Sequence, residues 1–572
     1  MVLGSEKKLK PVISETRRGS SASGSECDNI PSVGVTKWDR FVDSFRRQHV
    51  QHGDEGKSLQ KGISSRHLIL MALVTGMGTG LFVGTGNILS TAGPLFLIVG
   101  YIIVGSFLYP TLQAAGELAV NYSELSGGYN NYPLKFIDES VAFAVTWIYC
   151  IEWLSTFALE LVTASITIRY WDGDQKINPD VWVTIIFVIV VLLHFVGSKA
   201  YGEGEFVIGC LKVLMVTGFL IMSIVVNVGG GPEGKFIGGQ YWHDPGYYTN
   251  FKGLCTVFVT GAFAFSQSEF VALSAAEQPN PRRAIPTACK LVFWRILILF
   301  LGSLIMVGLL VPMNSPELMG ASGGGSNASP FVLAATLHGV TVVPHIINAV
   351  ILLSVCSVAS SSLYASSRTL QSLADQGYAP KYFNYIDRSG RPLRSLIACS
   401  IVGLFSYIAA YEKQETVFNW LLSISGLAQL FTWDVICISH IRFRQALKYN
   451  GISTDSLGYT SSTGIWGSVY AIVIHWLILI ALFYTALFPV GSSTPDAQSF
   501  FQNYLGAIVL VFFYVCHKLW SRNWKFYVNI CDIDINTDRT IFDEEILNLE
   551  KQEFQEKYNN DPWYKKLTTI LL

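Results

Sequence analysis

Hydrophobic residues in this chain fall into long blocks instead of alternating with polar ones. The first block sets the scale: Leu68 to Gly116 contains no Lys, Arg, Asp or Glu, and the run ends at Glu117. A helix needs about 20 mostly apolar residues to cross hydrocarbon, so this block holds two spans, divided at Ala92-Gly93-Pro94. Apolar windows downstream extend the series to twelve spans, centred near residues 78, 106, 153, 190, 217, 263, 300, 355, 402, 428, 477 and 510. The pattern predicts an all-α polytopic membrane protein with a polar, disordered tail over 1–65, a twelve-span domain over 66–521 and a second tail over 522–572. An even number of spans leaves both tails on one side. Loops that follow even-numbered spans carry thirteen Lys and Arg, against five in the others. The positive-inside rule makes the richer side, and both tails, cytoplasmic.

Two of the predicted spans are interrupted. Span 1 carries glycines at 76, 78, 80, 84 and 86, and each interior Gly costs a helix about 0.5–1 kcal/mol relative to Ala. A helix broken there exposes backbone N–H and C=O groups that hydrocarbon cannot satisfy, so the break must be packed in protein or line a wet cavity. Half-helix ends of this kind bind the charged ends of substrates, which makes Gly78, Thr79 and Gly80 a candidate binding site. Tight packing of glycines against a neighbouring helix is the alternative. Five spans later, span 6 places Ser266-Gln267-Ser268-Glu269 in the middle of an apolar stretch. Interrupted helices in corresponding positions suggest two inverted repeats, spans 1–5 and 6–10, with spans 11 and 12 outside them.

Only 14% of residues are charged, against about 25% in soluble domains, and a net charge of −1 gives no electrostatic basis for binding nucleic acid. Eight of ten cysteines lie in or beside apolar stretches and no Cys-x-x-Cys pair occurs, so neither a disulfide framework nor a zinc site is indicated. The histidines have no ligand-like spacing, and no phosphate-binding loop is present to drive a pump. Seven ionisable residues fall within or at the edge of spans: Glu117, Glu152, Glu160, Lys212, Glu269, Arg295 and Asp434. A charge at mid-bilayer costs at least about 2.5 kcal/mol, so each needs a partner, a proton or water. Glu269, Glu160, Lys212 and Glu117 are the candidates for binding and releasing a proton. Permanent protonation, or pairing with a neighbouring helix, is the structural alternative, and it is the stronger one for Glu117 and Arg295 near the cytoplasmic ends. The aromatic and basic segment 37–47 is compatible with a helix on the membrane surface or a transient one. Asn327-Ala328-Ser329 is a glycosylation acceptor in an outer loop, whereas Asn121-Tyr122-Ser123 faces the cytoplasm.

Taken together, GTGLFVGTG in span 1, Gly116-Glu117, LELVTASITIRYW from Leu159, AAEQPNPRRAIP from Ala275, SSSLYASSRTLQSLADQGYAP with the following DRSGRP, VFNWLLSISGL and HIRFRQAL resemble the fungal amino-acid permeases. These belong to the amino acid–polyamine–organocation superfamily, and the match is best to the yeast general amino-acid permease group. The resemblance runs from about Trp38 onward. It implies a LeuT-type 5+5 inverted repeat with broken spans 1 and 6, and amino acid:proton symport at the plasma membrane, with the proton as coupling ion and no cofactor. Such a protein passes through the endoplasmic reticulum and endosomes. The family's binding site maps onto Thr79 and Gly80 for the substrate carboxylate, and onto span 6 carbonyls around Phe263, Ala264 and Ser266 for the α-amino group. Lys212 matches a lysine that fills the sodium-like position in sodium-independent relatives. By the same resemblance Lys7, Lys8 and Lys10 are ubiquitin acceptors for the ligase machinery that acts on the cytoplasmic tails.

Departures from the family pattern bear on specificity. Gln267 stands where relatives have glycine, Asp434 replaces a small residue, and Glu152 stands where many have Gln or a small polar residue. If Glu152 and Asp434 face the cavity ionised, cationic substrates are favoured; if they are protonated or packed away, the preference stays broad and neutral. The chain ends Ile570-Leu571-Leu572, without the lipidated cysteine of many relatives. Two other classes fit less well. Amino-acid sensors of this fold carry a longer N-terminal domain, and a passive channel needs a ring of pore-lining charges.

Overall fold

The computed structural model describes residues 76–123, 131–172, 176–244, 246–269, 281–319, 329–410 and 414–543, with short or isolated stretches outside them. Lys7, Lys8, Lys10 and Asn327 lie outside the described residues. Every regular element among those described is helical. Among the described residues nine helices are long and apolar enough to cross a bilayer, and two shorter apolar ones, Phe251–Phe265 and Leu393–Tyr407, add to them. The interrupted first span makes twelve.

Span 1 continues through Thr79–Phe82 and Gly84–Ala92. Span 2 is Pro94–Asn121, span 3 Glu139–Ile168, span 4 Pro179–Val196 and span 5 Ser198–Asn227. Span 6 is Phe251–Phe265, followed by a non-helical turn. Span 7 runs through three joined pieces, Pro281–Trp294, Arg295–Leu301 and Gly302–Leu310, the middle one wound more widely. Spans 8 to 12 are Val343–Asp375, Leu393–Gly403, Gln414–Tyr449, Gly464–Leu487 and Ala497–Ser521. Local chemistry starts several of these helices: Asp138, Asn178, Asn250 and Asp496 each accept a backbone N–H in the first turn, which removes one of the donors a helix N-terminus leaves unpaired.

Span 3 packs along span 8, and the contacts around this pair are related by a shift of five spans. Span 3 meets span 4 as span 8 meets span 9; 3 meets 9 as 8 meets 4; 3 meets 10 as 8 meets 5; and 2 meets 10 as 7 meets 5. Five is odd, so the second unit is inserted upside down relative to the first, and the pairing is that of a 5+5 inverted repeat. Spans 4, 5, 11 and 12 turn large apolar side chains outward, with Ile189, Leu214, Ile480 and Phe512 all more than 60% exposed. Such faces match lipid, not water. Span 11 is not merely peripheral. It packs on spans 2 and 6 and sends His475 inward, where the ring is fully buried.

The end at which even-numbered spans finish, here the tail end, is held by charge pairs and by the second tail. Arg444 of span 10 meets Glu117 of span 2 at 2.6 Å (Nε to Oε1) and donates from Nη2 to Oε2 at 2.7 Å. Ser461 N–H donates to the same carboxylate at 2.6 Å, and His440 lies 3.3 Å away. Between Val528 and Thr540 the second tail packs back on the body. Val528 N–H donates to Ile137 O and Thr540 N–H to Asn121 O, both at 2.8 Å. Tyr122, Lys135 and Arg442 donate to the carbonyls of Ile535, Thr537 and Val528.

Glu117 is thus a buried carboxylate whose charge is matched by span 10. Removing one partner of such a pair costs about 3–5 kcal/mol because the other charge is left uncompensated. Arg444→Met should lower the melting midpoint of the purified protein in detergent, and Glu117→Gln added to it should recover most of the loss. Equal melting of the single variant and wild type would refute the pairing as a stabilising contact.

Candidate substrate site at the two helix breaks

The interrupted segments of spans 1 and 6 meet backbone to backbone. Gly76 has φ +81°, and a Cβ there would fall 2.8 Å from the carbonyl oxygen of Ala264 and 2.9 Å from that of Ser266. A Cβ on Gly80 would fall 2.6 Å from Ala264 Cα, so only glycine permits this approach. At Gly78 the obstacle is Val358 of span 8, at 2.7 Å. The packing reading of the glycine cluster is the one these distances describe: the glycines lie tightly against spans 6 and 8. The short helix Thr79–Phe82 starts after Gly78 with no side-chain cap. Span 6 ends at Phe265; Ser266 turns extended, and its N–H returns to Phe263 O at 3.1 Å.

Gln267 follows at φ +71°. Left-handed backbone costs a side-chain-bearing residue about 1–2 kcal/mol, so glycine would suit this position better. The side chain is buried and its Oε1 has no hydrogen-bond partner among the described residues.

Around the span 1 break, Thr79 donates its hydroxyl to Glu160 Oε2 of span 3 at 2.7 Å, and Tyr101 of span 2 donates to Gly80 O at 3.3 Å. Glu160 is fully buried, with Oε1 unpartnered. Lys212 of span 5 acts on Glu160 through space and donates to Ser357 Oγ of span 8 at 2.9 Å. Ser357 in turn donates to Glu205 Oε2 at 2.7 Å. Glu205 is the ionisable residue that sequence reasoning missed, because the polar stretch 198–205 reads as loop whereas it is the first two turns of span 5.

A second cluster surrounds the span 6 break. Trp433 of span 10 donates from Nε1 to Glu269 Oε2 at 3.2 Å. Arg295 donates to Ser268 Oγ and acts on Glu269. Span 7 starts at Pro281, earlier than its apolar window implies, so Arg295 lies about four turns inside the helix and not at its cytoplasmic end as expected. It stands where the helix widens to i→i+5 bonding, a distortion often found at functional positions. Glu152 is buried beside Glu269 with Oε2 unpartnered. Asp434 is turned elsewhere: its Oδ1 lies 2.7 Å from Nδ1 of His475 on span 11. Buried carboxyl atoms almost always have a partner, so the open oxygens of Glu160, Glu269 and Glu152 are those a polar ligand can engage. Towards the end opposite the tails, a cavity of about 200 Å³ separates the outer halves of spans 1 and 6 from spans 10, 11 and 12. Its walls include Asn87, Thr91, Thr260, Asn419, Gln502 and Asn503, with no charged side chain.

Comparison with known proteins agrees with this architecture. The amino acid permease family model matches residues 67–529. The general amino acid permease AGP1 of Saccharomyces cerevisiae is 50% identical over 524 residues, covering 91% of this chain and 82% of that protein. From the same yeast, the high-affinity glutamine permease is 47% identical over 92% of this chain and 80% of its own length, and the valine amino-acid permease 46% identical over 91% and 89%. Two interrupted helices held against each other in a twelve-span bundle, together with a family match that spans the bundle from end to end, make this chain a member of the amino-acid permease family.

Proposed function

We propose that this protein carries neutral L-amino acids into the cell together with protons, presenting one central site to each side of the plasma membrane in turn. The observation that supports the reading best is the bond from Thr79 to Glu160. A carboxylate only accepts hydrogen bonds, whereas the protonated acid also donates one, so a proton on Glu160 changes what the span 1 break offers a ligand. Protonation and occupancy are then linked. The first turn after Gly78 would hold the substrate carboxylate on the backbone N–H groups of Thr79 and Gly80, and carbonyls of span 6 would take the amino group. Loop charge favours a cytoplasmic tail end.

Neutral substrates fit for two reasons. Valine, glutamine and general permeases are among the relatives, and His475 offsets the one acidic departure on span 10. Glu152 is the carboxyl left to attract a cation.

Uptake of labelled amino acids by a permease-deficient host is the decisive assay. Uptake should fall as external pH rises from roughly 5 to 8, across the range in which the coupling proton becomes scarce; a flat profile would count against symport. Gly80→Val should cut uptake by about 10²-fold or more, the cost of displacing a binding group by an ångström, with normal amounts of protein at the surface. Competition by the twenty amino acids should show Val and Gln displacing label at least about tenfold better than Lys or Arg, a gap near 1.4 kcal/mol. Asp434→Asn should leave that order and the residual competition by Lys and Arg unchanged; a further loss of competition by Lys and Arg in this variant would place Asp434 in the pocket after all.

A further inference from the structure

A line of buried polar groups leads away from the span 1 break towards the tail end. It starts at Thr79 and Glu160, crosses to Lys212, and passes through Ser357 to Glu205. Glu205 also bonds to Ser361, whose hydroxyl lies 2.9 Å from that of Tyr201. Span 5 begins at Ser198 on the tail end. At 1.5 Å per residue, Glu205 stands about 10 Å in and Lys212 about 20 Å in, so the line covers about half of the distance from Lys212 to that surface. Glu205 is 6% exposed, whereas Glu160 and Lys212 are at 0% and 1%; of the three it is the one nearest to solvent.

Charge counting gives the line a purpose. Two carboxyls share one ammonium, so with all three ionised the group carries a net negative charge inside the membrane domain, and one bound proton neutralises it. The other titratable and charged groups nearby are Tyr201 on span 5, His194 on span 4, and Cys356, Tyr364 and Arg368 on span 8. Arg368 stacks on Tyr364 at 3.3 Å, and His194 bonds to Ser360. Among the described residues, the groups that act on Glu205 are Lys212 and the two serines.

We propose that Glu205 is the proton acceptor on the tail side of the transport cycle, receiving through Lys212 and Ser357 the proton that Glu160 gives up. The inference rests on the proton-coupled reading above. The transfer balances without any co-reactant. Ser357 passes its hydroxyl proton to the Glu205 carboxylate and takes one from the Lys212 ammonium, and the resulting amine takes one from the Glu160 carboxylic acid when the two, coupled here only through space, come within hydrogen-bonding reach. Glu160 ends ionised, Glu205 ends protonated, and Lys212 and Ser357 are unchanged. Release to the tail side then restores Glu205.

The test uses the full chain in proteoliposomes containing a pH-sensitive dye, driven by an inward gradient of mixed labelled L-amino acids. In wild type, proton influx should accompany amino-acid influx. In Glu205→Gln, proton influx per amino acid should fall by about tenfold or more, as removal of one transfer group implies, while counterflow of the same label persists; Glu205→Asp should restore the influx. Ser357→Ala, which keeps both carboxyls but removes the bridge, should show the same fall and carries the test if Glu205→Gln does not fold. A wild-type proton ratio in either folded variant overturns the proposal, as does loss of counterflow in folded Glu205→Gln. If wild type itself moves no protons, the symport reading falls with it, a result distinct from failure in the variants alone.

Discussion

Everything in this structure that bears on transport depends on one close approach, Gly80 against Ala264, where two interrupted helices lie backbone to backbone with no room for a single added carbon. A continuous helix satisfies its own main-chain groups and has nothing to offer a ligand. Two broken ones, pressed together, leave the main-chain groups at each break outside their helices' own ladders, and a bilayer allows such groups nowhere else than inside the protein.

The surrounding bundle can be understood as the support for that contact. Spans 3 and 8 form a central pair, and each contributes a group to the span 1 break: Glu160 from span 3 and Val358 from span 8. Lys212 reaches across to span 8 from span 5. On the span 6 side, the groups come from spans 3, 7 and 10 through Glu152, Arg295 and Trp433. Span 3 thus serves both breaks, which are otherwise held by different helices: spans 2 and 8 at the first, spans 7 and 10 at the second.

The sequence made the fold readable because hydrocarbon is an unforgiving solvent. Charge-free runs of span length and a bias in loop charge have few other causes, and glycines at 76, 78 and 80 or the Ser266–Glu269 turn are conspicuous inside such runs. Pairing was less legible. His475 and Asp434 are 41 positions apart on adjacent helices, and nothing in either segment names the other, so Asp434 read as a bare carboxyl. Glu205 was hidden for the opposite reason: beside Lys199 and Glu203 it looked like loop, and its cradle exists only because Ser357 and Ser361 share one face of span 8. Gln267 stood out in the sequence for its polar side chain, and its left-handed backbone is visible only in the structure.

The second tail fastens itself by main chain and side chains together. The bonds from Val528, Ile535, Thr537 and Thr540 use their N–H or C=O groups, while Ile533 and Ile535 are buried in the core and the Thr540 hydroxyl lies 3.0 Å from that of Ser123. Spacing is therefore as constrained as identity: one residue gained or lost between Val528 and Thr540 takes every later group out of register with its partner. This segment of the chain is constrained as a ruler is, by its length as well as by its marks.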